Sequence, residues 1–377
     1  MQSIDLDELL DRATRAARRR TPDAELRGLR RLEGGVSSLT FASTLVGDRE
    51  DRPVVLKVAP AGLAPVRNRD VLRQARVLRA LGRLPGFPVP DVLFEDAGDP
   101  PDVPPLFAMS LAPGESYEPL LDVSDAPPTP ADVAERVRVA ARALATLQSV
   151  PPRRIGLGAE PPAAVDDELE RWRRLFETVD ADIAPGHERL YARLAERVPA
   201  GIEPRLLHGD YRLANMLFEG PRLAAVIDWE IWSVGDPRSD LAWLLMHLAP
   251  AHVFHEDRPA ADRAAGSLLP TRDQLWDEYA GARRALGAAD HELAATAADL
   301  DWFLGVCCYK TASTIAVIWK RERKLASPDP KLVTAARHLH EVLAAGHAVL
   351  DRTSTTTLPT AVRSSSAASA SAARSSG

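Results

Sequence analysis

The chain of 377 residues has only two cysteines, Cys307 and Cys308, which are adjacent in sequence. Adjacent cysteines supply neither a disulfide framework nor the ligand spacing of a zinc site. Both lie in a helical pattern, and we expect them to be core residues. Lysine is scarce as well, with five residues in the whole chain, so a lysine inside an apolar strand is conspicuous.

The chain also lacks an excess of positive charge, and we expect neither a membrane span nor a secretory leader. Its formal net charge of -6 argues against a nucleic-acid-binding protein. No uninterrupted apolar run approaches the length of a membrane helix, and the residues after Met1 have neither the basic nor the apolar part of a signal peptide. We therefore expect a cytoplasmic enzyme with no nucleic-acid or membrane partner. The sequence gives no indication of its oligomeric state.

A Walker-type phosphate loop and a dinucleotide fingerprint are absent, but the segment from His208 to Asn215 suggests another kind of phosphate chemistry. Asp210 stands five residues before Asn215, and Asp228 ends an apolar run thirteen residues after that asparagine. Kinase-type transfer needs such a set: one aspartate accepts a hydroxyl proton, while the asparagine oxygen and a second aspartate bind Mg²⁺.

Spacing supports this interpretation. Residues 216–218 and 223–227 read as two short strands around a turn at 219–221, which brings Asp228 back beside Asn215. Each piece alone is more often an ordinary turn or strand end, whereas their order and spacing together favour a kinase-like site.

These residues, with 227–230 and 235–242, resemble the catalytic core of the aminoglycoside phosphotransferase and choline kinase superfamily. They are most similar to the branch related to the phosphotransferase domain fused to some acyl-CoA dehydrogenases. The resemblance implies an α+β, bilobal protein-kinase-like fold, in which an N-terminal lobe holds an antiparallel sheet and one helix and the C-terminal lobe is mostly helical. It also implies that Asp240 braces the catalytic loop.

We expect three regions: a nucleotide-binding lobe over 1–111, a catalytic and acceptor-binding lobe over 112–352, and a disordered tail rich in serine, threonine and alanine over 353–377. Helical periodicity predicts the main helices of the second lobe at 131–149, 166–180, 186–198, 237–249, 271–286, 290–324 and 331–351.

The nucleotide side of the site is predicted around Lys57, which lies in a β-branched run at 53–59. A lysine there faces either solvent or an anion, and in a kinase a strand lysine binds the α and β phosphates. Upstream, a glycine turn offers backbone N-H groups and hydroxyls to the phosphates, although such a turn alone is more often a simple hairpin. Its candidates are Gly34, Gly35, Ser37 and Ser38.

A helix predicted at 67–81 departs from the family pattern, because Gln74 stands where the family usually has a glutamate that pairs with the lysine. Gln74 can accept a hydrogen bond from Lys57, but a neutral bond is weaker than a charge-assisted one. This departure keeps a nucleotide-binding pseudokinase, acting through protein interaction, as an alternative. The resemblance further implies that the strand at 106–111 is the hinge, with Met109, Ser110 and Leu111 binding the adenine edge.

The expected reaction is Mg²⁺-dependent transfer of the γ-phosphoryl group of ATP or GTP to a hydroxyl of a small-molecule acceptor, with Asp210 as the base. Arg212 either contacts the transferring phosphate or forms a local ion pair, and His208 supports the loop. A protein kinase is disfavoured because Asp-Phe-Gly and Ala-Pro-Glu motifs are absent. The acceptor and the choice between ATP and GTP stay open.

Two groups of residues give weaker signals. In related enzymes the helix that carries Trp302, Tyr309 and Lys310 lies near the acceptor cleft, but a core position for the aromatics and a surface position for the lysine are favoured. A histidine cluster at 247, 252 and 255 fits an exposed loop better than a zinc site.

Overall fold

A computed structural model describes residues 5–32, 38–47, 51–249, 254 and 258–355. The predicted phosphate contacts Gly34, Gly35 and Ser37 lie outside the described residues, as do His252 and His255 and the tail from residue 356. The three residues at the start of the predicted tail, 353–355, are helical rather than disordered.

The N-terminal part is built on a five-stranded antiparallel sheet in the order β1-β2-β3-β5-β4. Its strands are β1 (Glu25–Arg31), β2 (Leu39–Val46), β3 (Arg52–Val58), β4 (Val92–Asp96) and β5 (Leu106–Ser110). Successive side chains of a strand point to opposite faces. Leu56 and Val58 pack in a core cluster with helix α1 (Leu6–Arg18), so Lys57 between them points to the other face.

Two helices pack on this sheet, one more than the sequence predicted. Helix α1 begins at the cap Asp5, whose carboxylate accepts the N-H groups of Asp7 and Glu8. Helix α2 (Val71–Leu81) starts four residues later than expected, because Asp70 caps it by accepting the N-H of Arg73. Residues 67–69 form a short 3-10 turn instead.

The remainder is mostly helical, with two small antiparallel sheets, β6-β9 and β7-β8, that carry the predicted site. The strands are β6 (Arg205–Leu207), β7 (Met216–Glu219), β8 (Arg222–Val226) and β9 (Ser233–Gly235). The helices are α3 (Pro130–Leu147), α4 (Val165–Phe176), α5 (His187–Glu196), α6 (Arg238–His247), α7 (Ala260–Ala265), α8 (Arg272–Ala285), α9 (Asp290–Ala297), α10 (Leu300–Glu322), α11 (Pro330–Arg337) and α12 (Leu339–Thr355).

Two of the predicted long helices are broken. The segment 290–324 divides into α9 and α10 because Asp299 adopts a left-handed conformation, with φ of 58°. The segment 331–351 divides at His338 into α11 and α12. Periodicity runs through both breaks, so it did not reveal them.

Helix α10 lies at the centre of the helical part. Its 23 residues are long and apolar enough to meet a length and hydropathy criterion for a membrane helix, but core helices meet the same criterion. Most of the apolar window, 61%, is buried inside the protein, and the helix packs against α4, α6 and α12. We therefore describe it as a core helix.

Candidate active site

The loop between β6 and β7 carries Asp210 and Asn215 and is fixed from two sides. Buried Asp240 on α6 accepts the backbone N-H groups of His208 (2.6 Å) and Gly209 (3.0 Å). Burial raises the pKa of Asp240, while the His208 ring and these N-H groups oppose the shift. Gly209 has φ of +86°, and a Cβ there would lie 2.8 Å from the carbonyl oxygen of Ile231, so this position requires glycine.

His208 joins this loop to the strand that precedes Asp228. The N-H of Asp210 donates to His208 Nδ1 at 3.2 Å, which leaves the ring proton on Nε2. That Nε2-H donates to the carbonyl oxygen of Ile227 at 2.8 Å. The imidazole thus holds the loop in place rather than facing the space where an acceptor would bind.

Asp210 is an ionised carboxylate with three neighbours. Its Oδ1 accepts the indole N-H of Trp243 (2.7 Å), and its Oδ2 accepts the amide of Asn215 (2.8 Å). Arg212 Nε lies 3.3 Å from Oδ1. Burial alone would raise the pKa of Asp210, but Arg212 and Lys310 outweigh it and lower the pKa to about 2. Such a carboxylate accepts a hydroxyl hydrogen bond at any physiological pH.

Asn215 and Asp228 lie side by side, as the hairpin predicted. Ile227 N-H donates to the backbone oxygen of Asn215 at 2.9 Å, and Met216 is paired with Val226. Since the Asn215 amide nitrogen is bound to Asp210, the side-chain oxygen remains to bind a cation. Asp228 adopts a left-handed conformation and its side chain is 40% exposed, so its oxygens are accessible.

Mg²⁺ prefers such oxygen ligands. Among residues 5–32, 38–47, 51–249, 254 and 258–355, no group of three or more histidine, cysteine, aspartate or glutamate side chains is placed to hold a metal. An ion held by Asn215 and Asp228 would therefore take its remaining ligands from nucleotide phosphates and water.

Lys57 reaches this centre from the sheet, because its Nζ lies 3.2 Å from Asp228 Oδ1. The predicted hydrogen bond between Lys57 and Gln74 is not formed. Gln74 is only 2% exposed, and its amide nitrogen has no partner in the described part of the chain. Ser38 is similarly buried, just before the residue that pairs with Val58, and its hydroxyl has no partner among the residues that the structure describes.

Two of the three predicted hinge residues, Ser110 and Leu111, do not offer a backbone N-H group to an adenine edge. Ser110 N-H donates to the carbonyl of Asp91 and Leu111 N-H to that of Pro53, so the sheet already uses both amides. Met109 lies within β5, paired with Val55 and Val92. The sequence reasoning missed that β4 and β3 cover this end of the strand on both edges.

Trp243 is a site residue that the sequence reasoning did not single out, and Lys310 is one for which it considered substrate contact but favoured a surface position. Lys310 was expected at the surface, which is wrong: its Nζ donates to the carbonyl of Gly209 at 2.7 Å and lies 3.9 Å from the Trp243 ring centre. Trp243 follows Asp240 by three residues on α6, so both side chains face the catalytic loop. That spacing was a usable signal, as was a lysine inside the apolar run of α10.

Several other residues of these helices that the sequence analysis considered are buried. Trp302 and Tyr309 are buried in the core, as expected, and so are both cysteines. Burial raises the pKa of the Cys307 and Cys308 thiols, which makes them poor nucleophiles. His247 was expected in an exposed loop, but it is buried at the end of α6, with its ring packed on Trp243.

A cavity with a mostly apolar lining opens beside the catalytic loop, between α4, α6 and α10. Trp172, Trp243, Val306 and Cys307 contribute apolar surface, while Gly209 and Lys310 connect it to the loop. The cavity therefore adjoins the catalytic loop at Gly209, one residue before Asp210.

Comparisons with known proteins agree with this geometry. The model of the APH phosphotransferase enzyme family matches residues 28–302. Acyl-CoA dehydrogenase family member 10 of Mus musculus is 28% identical over 236 residues, which cover 61% of this chain and 22% of that protein. Viomycin phosphotransferase of Streptomyces vinaceus is 34% identical over 191 residues, which cover 45% of this chain and 60% of that protein.

Solved structures share the fold. One of an aminoglycoside phosphotransferase-like protein from Ralstonia eutropha has a TM-score of 0.70 at 20% identity, covering 93% of this chain and 99% of that one. The expected kinase-like fold is thereby confirmed. The chain spans only about a fifth of the mouse relative and three-fifths of the viomycin enzyme, so it corresponds to part of each.

Proposed function

Because the chain belongs to the phosphotransferase enzyme family, whose model matches residues 28–302, we propose that it transfers the γ-phosphoryl group of ATP or GTP to a hydroxyl of a small-molecule acceptor. The observation that carries this proposal is the convergence of Asp210, Asn215, Asp228 and Lys57 from three separate elements onto one centre. Bound Mg²⁺ would neutralise charge on the phosphates.

On the acceptor side, Asp210 accepts the hydrogen bond of the attacking hydroxyl and so orients its oxygen toward the phosphorus. The indole of Trp243 and the amide of Asn215 hold the carboxylate in a fixed direction. Because its pKa is low, the carboxylate takes the proton late, as bond formation to phosphorus acidifies the hydroxyl. Catalysis then consists mainly of positioning and charge stabilisation.

On the nucleotide side, Asn215 and Asp228 would hold the ion, and Lys57 would contact the phosphates. Lys57 pairs with Asp228 here, so it has to share or leave that carboxylate when phosphates arrive. The hydroxyl of Ser38, which is buried and has no partner among the described residues, is a donor suited to the same phosphates.

For the acceptor, the lining of the cavity beside Lys310 favours a molecule with an apolar portion. The lining holds Lys310 and Arg171 together with the carboxyl groups of Glu168, Asp236 and Asp240, so its charge does not by itself select against a basic acceptor. Viomycin phosphotransferase is among the relatives, so an acceptor of that kind stays within the proposal.

The test is a screen of fractionated metabolite extract for Mg²⁺-dependent consumption of ATP or GTP, with Asp210→Asn as the control protein. A fraction that supports consumption by the wild type and not by the variant identifies the acceptor. Tight nucleotide binding without consumption across all fractions would favour the pseudokinase, which the neutral Gln74 side chain also suits.

A further inference from the structure

Glu118 is the most completely buried carboxyl group near the catalytic loop, with 0% of its surface exposed. It lies on neither a helix nor a strand, and no part of the proposed reaction uses it. Burial raises its pKa, to about 7, against the effect of Arg212. A buried carboxyl group is costly unless polar partners surround it, so its position requires an explanation.

Its side-chain contacts lead to the catalytic loop. Oε2 accepts the backbone N-H of Ala214 at 3.0 Å and lies 3.9 Å from Arg212 Nη1. Oε1 is buried and has no partner among the described residues. Arg212 therefore stands between two carboxyl groups, with Asp210 on the other side at 3.3 Å.

The chain segment that carries Glu118 is clamped onto the strand that follows Asn215. Glu115 and Phe218 exchange two backbone hydrogen bonds, of 3.0 and 2.9 Å. Gly114 has φ of +105°, and a Cβ there would lie 2.6 Å from the carbonyl oxygen of Phe218. This close approach places Glu118, which follows β5 in the sequence, against the loop that carries Asp210 and Asn215.

We propose that Glu118 is a positioning residue of the transfer site: it anchors the loop through Ala214 and serves as the second counter-ion of Arg212. This inference rests on the proposed function. Without the Glu118 charge, Asp210 alone would balance the positive charge of the Arg212 guanidinium. Arg212 would then compete with the acceptor hydroxyl for the Asp210 carboxylate. With Glu118 in place, Arg212 is shared, and one face of Asp210 remains for the acceptor.

Two neutral replacements separate the anchor from the charge. Glu118→Gln keeps an oxygen that can accept the Ala214 N-H but removes the charge, whereas Glu118→Leu removes both. The control is Glu115→Gln, at a position three residues earlier in the chain, because that exposed side chain pairs with Arg136 away from the loop.

The first readout needs no acceptor. The indole N-H of Trp243 donates to Asp210, so its resonance in a ¹⁵N-labelled protein reports on that carboxylate. Trp243→Phe assigns the signal. At pH 8, where Glu118 is ionised, we expect Glu118→Gln to shift this resonance while Glu115→Gln leaves it unchanged, and an unmoved resonance in folded Glu118→Gln protein would overturn the proposal.

The second readout is a double-mutant cycle of unfolding midpoints for Glu118→Gln and Arg212→Gln. At pH 8, we expect the double variant to be more stable than the sum of the single losses predicts, because each single change leaves one charge without this partner and the double change removes both. Strict additivity would contradict the pairing. These two readouts stand even if no phosphotransfer is ever found, so failure of the proposed function is distinguishable from failure of this inference.

Once an acceptor is known, kinetics supply a third readout. Glu118→Gln should lower kcat by about tenfold, the loss of one charged contact at the catalytic loop, and leave the nucleotide KM within about twofold. An equal rise in KM with kcat intact would instead indicate a nucleotide-binding role and overturn the assignment.

If Glu118→Gln does not fold, the partly exposed Arg212 offers the same test from the other side. Arg212→Gln should be destabilised more at pH 8 than at pH 6, because ionised Glu118 then lacks its counter-ion. The charged groups that face Glu118 are Arg212, Asp122 and Asp210, and Glu115→Gln again serves as the control. Equal destabilisation at both pH values would refute the counter-ion role.

Discussion

Asp210 and Asp228 have the same side chain but different surroundings, and the difference assigns different roles to them. Asp210 is held by an indole, an amide and a guanidinium, whereas Asp228 is more exposed and accepts a hydrogen bond from Lys57. A carboxylate fixed in direction suits an acceptor hydroxyl, and an accessible one suits a cation.

We expect Asp210→Asn to reduce phosphotransfer by about 10²-fold or more while nucleotide affinity stays nearly unchanged. Asp228→Ala should instead abolish the Mg²⁺ dependence of nucleotide binding, because it removes a charged ligand. Isothermal titration with and without Mg²⁺, beside steady-state kinetics, measures both effects. The division of roles is wrong if both variants lose nucleotide binding equally.

Glu118 gives the stability of the protein a particular pH dependence. Its ordinary pKa of 4.5 applies in the unfolded chain, and burial raises the folded pKa to about 7. Between these values the folded protein keeps a proton that the unfolded chain has released. Its contribution is therefore fully present below about pH 4.5 and is lost as pH rises through about 7.

Urea unfolding at pH 5 and pH 8 checks this sign. The wild type should lose more stability across the interval than Glu118→Gln, because glutamine does not titrate. Glu115→Gln should keep the wild-type difference. Identical pH dependence in wild type and Glu118→Gln would show that another group is responsible.

At the scale of elements, α2 presents a buried amide where a glutamate was expected. Gln74→Glu would place a carboxylate at this buried position of α2, and Lys57 on β3 is the cation that we expected to pair with it. If Lys57 turns to the introduced carboxylate, Asp228 is freed for the ion. We expect turnover to be kept or improved, with a similar or lower nucleotide KM, and Lys57→Ala to remove the gain.

Steady-state kinetics of the four proteins in this cycle decide the matter. Lys57→Ala combined with Gln74→Glu should also unfold at the lowest temperature, because it buries a carboxylate without a partner. A Gln74→Glu protein that folds but is inactive would contradict the proposed pairing.

Helix α10 carries a second element-scale contact, Lys310 on the carbonyl of Gly209 and the ring of Trp243. Lys310→Met keeps the apolar stem and removes the charge that helps to lower the pKa of Asp210. We expect a loss of about tenfold in kcat, with less effect on nucleotide KM. Lys320→Met, at the exposed end of the same helix, is the control and should be neutral. Equal effects at the two positions would remove Lys310 from the site.

Sequence patterns among neighbouring residues predicted the secondary structure elements that carry the candidate active site. The β7-β8 hairpin and the position of Asp228 followed from strand and turn signals that involve neighbouring residues only. The contact of Lys57 with Asp228 and that of Lys310 with Gly209 could not be predicted from such patterns, because the two residues of each pair are far apart in the sequence. The break at Asp299 was not predicted because the helical periodicity continues through it, although aspartate is one of the few residues that tolerate a left-handed conformation.

At the scale of the whole molecule, α2 is tied to the second half by a cluster around Glu160. This carboxylate accepts from Arg73 and, at 2.7 Å, from Arg76. The Arg73 guanidinium also lies 3.8 Å from the Trp232 ring centre and donates to the carbonyl of that residue. Trp232 follows Asp228 by four residues, so the cluster fixes α2 close to Asp228. It does so without the lysine-glutamate pair that the family usually has.

We therefore expect Glu160→Ala to loosen α2 against the second half. Hydrogen exchange of the amides in Val71–Leu81 should become faster, because the two arginines lose their shared anchor. Glu95→Ala is the matched control, since Glu95 on β4 binds Arg79 of the same helix but stays within the N-terminal part. Nucleotide affinity should fall only in Glu160→Ala, as α2 shifts away from Lys57 and Asp228. If both variants speed exchange equally, the loss reflects the helix surface alone, and the two halves are held together by their apolar packing rather than by Glu160.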